Sequence, residues 1–109
     1  MSNLQTAFQE LSNAVELDPN ILDAQIKLGE MYVISREADK AKGKAEFVLT
    51  KDPKNIEARM ILATVHAGNK DFAKAISLLE EAAVIAPASI KPHMAMAAVY
   101  LGNNELASA

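Results

Sequence analysis

A chain of 109 residues, half of them apolar, is long enough for one small domain with a core of its own. Fourteen acidic residues against eleven basic ones leave a net charge of −3 with no block of like charge, which argues against nucleic acid or an anionic membrane surface as a partner. Cysteine is absent, so disulfides and thiolate metal sites are excluded. No apolar run approaches the roughly 18–20 residues of a membrane span, and Met1-Ser2-Asn3 lacks the basic start and apolar core of a signal peptide.

The first segment, Leu4–Leu17, has apolar residues at Leu4, Ala7, Phe8, Leu11, Ala14, Val15 and Leu17, the three-and-four spacing of an amphipathic helix. Asp18-Pro19-Asn20 ends it, because proline disfavours helix in the residue before it. Leu22–Ser35 reads as the next helix, followed by a turn near Ser35–Glu37 that contains no glycine. Ala38–Lys51 follows and is the weakest of the series. Lys42 stands where its neighbours carry Phe8 and Ile76, Ala45 replaces a leucine, and Gly43 lies in mid-helix at a cost of about 1 kcal/mol relative to alanine.

Asn55 and Ser89 precede the next two apolar runs as N-caps, and Asp71 caps a helix over Phe72–Ile85. The run from Ile56 closes at the turn Gly68-Asn69-Lys70-Asp71. Pro92 falls in the first turn of a helix over Ile90–Leu101, where its missing N–H costs nothing. Gly102–Glu105 repeats the earlier turn, and a further short helix is expected over 105–109.

Shifting the chain by 34 residues superimposes these landmarks. Ala7, Ala41, Ala75 and Ala109 fall together, as do Pro19, Pro53 and Pro87, then Leu28, Leu62 and Met96, then Gly29, Ala63 and Ala97. A fixed period of this kind marks a helical repeat array. Helices of about 12–14 residues are marginal alone, so stability must come from packing on neighbours, with the small residues Gly29, Ala63 and Ala97 facing Ala41, Ala75 and Ala109.

The pattern resembles the tetratricopeptide repeat family over essentially the whole chain. Leu28-Gly29 with Tyr32, Leu62-Ala63 with His66, and Met96-Ala97 with Tyr100 stand in the first-helix places; Ala7/Leu11/Ala14 and Ala75/Leu79/Ala82 match the second helix, while Ala41/Ala45/Val48 departs. The family's frequent tryptophan is replaced by Gln25, Arg59 and His93. The resemblance implies an all-α, right-handed solenoid of antiparallel helix pairs. Its expected divisions are a second helix at 4–17, full repeats at 22–55 and 56–89, and a first helix at 90–102 that leads into 105–109.

The family's concave groove, carried onto this chain, is lined by Asp23, Glu57 and Lys91; by Ile26, Met60 and Met94; by Glu30, Thr64 and Ala98; and by Val33, Ala67 and Leu101. Its apolar stripes suit a peptide or an amphipathic helix, and methionine adapts to varied surfaces. The competing reading is that Ile26 and Met60 simply pack between adjacent first helices. The subclass that clamps acidic chaperone tails needs Lys, Asn, Asn, Lys and Arg where Ile26, Glu30, Ile61, Lys91 and Ala95 stand, so that activity is excluded. A related repeat family that reads RNA would show a basic groove, which is absent here.

His66 and His93 lie 27 residues apart and make no zinc signature. The acidic pairs read as solvated faces, so neither an enzyme, a metal nor a cofactor is expected. The implied function is a non-catalytic scaffold that binds another protein. The alternative is an assembly segment of a longer solenoid, as in the arrays of some bacterial envelope and polysaccharide-secretion proteins. Phe8, Leu11 and Val15 at one end, and Met96, Val99 and Tyr100 at the other, are expected to lack covering partners and so to allow self-association end to end.

Overall fold

The computed structural model describes residues 3–108, with side chains described for 3–104. Six helices follow in order: α1 (Asn3–Leu17), α2 (Leu22–Ile34), α3 (Ala38–Lys51), α4 (Ile56–Gly68), α5 (Phe72–Ile85) and α6 (Lys91–Ser108). No strand occurs among the described residues. Each helix packs on the next in sequence. Further contacts join α2 to α4 and α4 to α6, whereas α1 does not meet α3, nor α3 meet α5. The first helices α2, α4 and α6 therefore lie on the inner radius of an α-solenoid and the second helices on its outer side.

Caps and closing prolines set the helix ends. Asn55 Oδ1 accepts from the Ala58 N–H at 2.9 Å, Asp71 Oδ1 from the Lys74 N–H at 3.3 Å and Ser89 Oγ from the Lys91 N–H at 3.3 Å. Left-handed backbone falls on Arg36 (φ 63°) and Lys70 (φ 65°), one period apart, and on no glycine. In the glycine-free turn, Glu37 accepts from Ser35 Oγ at 2.8 Å and Lys40 Nζ at 3.0 Å. The Ser35 hydroxyl, and after it Lys40, holds the Glu37 carboxyl below its ordinary pKa.

The places of the family tryptophan carry a polar device instead. Gln25 Nε2 donates to the Pro19 carbonyl at 2.8 Å, and an Arg59 guanidinium N–H donates to the Pro53 carbonyl at 2.8 Å. Each side chain ties a first helix back to the proline six residues earlier. Arg59 Nε also lies 3.4 Å from Glu81 of α5.

The core is made where three helices meet. Ile26, Ala41, Ala45, Val48, Ala58, Ile61, Leu62 and Val65 form one buried cluster, and Ala63, Ala75 and Leu79 a second. Gly29 allows the close approach: a Cβ there would stand 3.0 Å from Ile61 Cδ1 and 3.4 Å from Lys44 Cβ. Ala63 and Ala75 are buried together, as their small size predicts. Ala97 is exposed, and Ala109 lies outside the described residues.

The C-terminal segment departs from expectation. The Gly102–Glu105 turn does not form; α6 runs through it to Ser108. At the α4–α5 turn the reversal is held by α5 packing back on α4. At Gly102 the helix simply continues, since glycine in a helix costs only about 1 kcal/mol.

Candidate protein-binding groove

On the inner side, α2, α4 and α6 surround a hollow of about 500 Å³ lined by Glu30, Val33, Ile34, Glu57, Met60, Ile61, Thr64 and Lys91. Six residues placed in the groove by repeat register meet here: Glu30, Val33, Glu57, Met60, Thr64 and Lys91. Helix periodicity explains the grouping. Positions 57, 60 and 64 recur at three and four residues along one face of α4, and positions 30 and 33 do the same on α2.

The floor is apolar, made by Val33, Ile34, Met60 and the buried Ile61. Glu30 and Glu57 stand on the α2 and α4 sides and Lys91 on α6. Lys27 Nζ approaches Glu30 Oε1 to 3.7 Å, an exposed pair of small energetic value. The Thr64 hydroxyl donates to the Met60 carbonyl at 2.9 Å, so its hydrogen is used within α4.

The remaining register positions do not line this hollow. Asp23 is exposed in the first turn of α2, and Met94 and Leu101 are each 65% exposed on α6. Ile26 requires a correction: it belongs to the buried core cluster, not to the groove. The register 26, 60, 94 passes from buried to half-buried to exposed along the array, and the exposed Met94 lies on α6, which meets two helices, α4 and α5. Ile34, 69% exposed, lines the groove and was missed. Its register continues as Gly68 and Gly102, so comparison between repeats carries no apolar signal there.

The ends are partly covered within the chain. Phe8 meets Tyr32 edge to face, with centroids 5.5 Å apart at 79°, and Leu11 and Val15 are half-buried. Met96 and Val99 pack against Ala63, Ala75 and Leu79. These five residues were expected to lack partners. They are partly covered because α1 rests on α2, and α6 on α5 and α4. Tyr100 is left exposed. Beside α1 a second hollow, about 540 Å³, is lined by Leu4, Phe8, Met31 and Ile34 among others.

No three His, Asp or Glu side chains converge to hold a metal among the described residues, and His66 is a half-buried residue of α4. Likewise, no described helix is long and apolar enough to cross a membrane.

The tetratricopeptide repeat pattern matches residues 32–99. Among solved structures, MamA of Desulfovibrio magneticus RS-1, from residue 41 to its end, superposes with a TM-score of 0.74 at 20% identity, over 97% of this chain and 62% of that one. A double mutant of the RS-1 MamA gives 0.74 at 21% identity, covering 92% and 56%. MamA of strain AMB-1 gives 0.64 at 25% identity, again covering 92% and 56%. The chain thus spans 56–62% of these solved chains, and the likeness shows a shared fold. No curated protein matches the sequence. With the helix-pair architecture and a match over more than half its length, the chain belongs to the tetratricopeptide repeat family.

Proposed function

We propose that the array is a non-catalytic scaffold that holds a peptide or amphipathic helix of another protein in the groove between α2, α4 and α6. The observation that carries this reading is the convergence of six register-predicted residues on one hollow with an apolar floor and charged rim. Helix-in-groove recognition uses that combination of apolar anchors and polar edges. Selection from a displayed library of short helical peptides tests it. Binders should lose affinity for a Met60→Glu variant whose helical circular dichroism is unchanged. No enrichment, or binders indifferent to the variant, would overturn the proposal.

A second reading, assembly of copies end to end, is supported by one pair of positions. Gly29 with Ala41, and Ala63 with Ala75, are buried where first and second helices meet, whereas Ala97 of α6 and Ala7 of α1 are both exposed. A neighbour's α1 laid on α6 would join them.

A further inference from the structure

We infer that the segment held in this groove is ampholytic, with a basic residue on one side of its apolar anchor and an acidic residue on the other; the inference rests on the groove reading above. Glu57 and Lys91 carry it. They occupy the same repeat position, in the first turns of α4 and α6, and both line the hollow. Among the described residues neither forms an ion pair, although their charges are opposite. Glu30, the other charged residue of the lining, has Lys27 Nζ 3.7 Å away. Two opposite charges are thus held apart on the rim of a hollow whose floor is apolar.

A balanced rim of this kind selects against a segment of either single sign. A base beside Glu57 and an acid beside Lys91 are both complementary, whereas two bases leave one facing Lys91 and two acids leave one facing Glu57. Helix geometry accommodates the order. Residues i and i+7 of a helix lie about 10.5 Å apart on nearly one face, close to the roughly 8–10 Å between the axes of packed helices such as α4 and α6. Residue i+4 falls between them on that face and supplies the apolar anchor.

Three labelled, alanine-rich peptides of about 15 residues test this. All carry leucines at helical spacing around i+4, and they differ only at i and i+7: lysine with glutamate, lysine twice, or glutamate twice. The mixed peptide should bind about fivefold more tightly than either of the others at low salt, the upper end for one exposed charge pair. The protein's net charge of −3 alone would favour the dilysine peptide, so a preference for the mixed one reports the rim. Lys91→Glu should move the preference to the dilysine peptide, and Glu57→Lys should move it to the diglutamate one, with helical circular dichroism unchanged. Lys91 is exposed, so its variant decides the matter even if Glu57→Lys perturbs α4. If the mixed peptide has no advantage, or Lys91→Glu leaves the preference where it was, while Met60→Glu still abolishes binding, the ampholyte inference fails and the groove reading stands. Binding of none of the three would overturn both.

Discussion

Gly29 and Gly43 show how differently one residue type serves in neighbouring helices. At Gly29 the helices α2, α3 and α4 meet, and an added Cβ would press on Ile61 and Lys44. At Gly43 an added Cβ would meet nothing within 4 Å, and its φ is not positive. Glycine there leaves only the entropic disadvantage of a helix interior. Gly43→Ala is therefore expected to stabilise the fold by up to about 1 kcal/mol. Urea unfolding followed by circular dichroism measures this; a lower midpoint would show that α3 needs its glycine. At the turn after α4 the helix continues through Gly68, and the left-handed residue is Lys70 rather than the glycine.

At the scale of the element, α3 departs from the family pattern by reversing the order of the large and small side chains. Where α1 and α5 carry leucine then alanine, at 11 and 14 and at 79 and 82, α3 carries Ala45 then Val48, both fully buried. A large and a small side chain have exchanged places in one core layer. Ala45→Leu alone is expected to overpack that layer and cost about 1–3 kcal/mol. Adding Val48→Ala should recover most of the loss, and the two changes should be non-additive in a double-mutant cycle. Additive losses would show that the two positions are independent.

Most helix limits were legible because their causes are local: Pro19 and Pro53, the caps Asn55 and Asp71, and three-and-four apolar spacing. The end of α6 was not, since Gly102-Asn103 looks like Gly68-Asn69 and yet the helix runs on through it. For the groove, register identified the face but not the depth. Ile26 and Met94 share a register, yet one is in the core and the other is exposed, a difference the repeat pattern alone does not carry.

At the scale of the whole molecule, the two ends differ from the middle in one measurable respect. Tyr32 is half-buried under Phe8, while its counterpart Tyr100 is 58% exposed beside the exposed Ala97. In repeat phase, a following second helix would have to share the place that a neighbour's α1 would take. Among the described residues, α6 runs straight to Ser108. The proposed head-to-tail stacking would be heterologous, a kind of contact that need not close. The expected outcome is growth of mass with concentration in light scattering. Ala7→Glu and Ala97→Glu, both on exposed helical surface, should each arrest it without loss of helicity. Mixing the two variants decides the geometry. Each keeps one intact end, so head-to-tail contact predicts a dimer that forms only in the mixture. Pairing of like ends would instead let each variant dimerise alone through its unaltered end. A wild-type chain that stays monomeric throughout would rule out both arrangements.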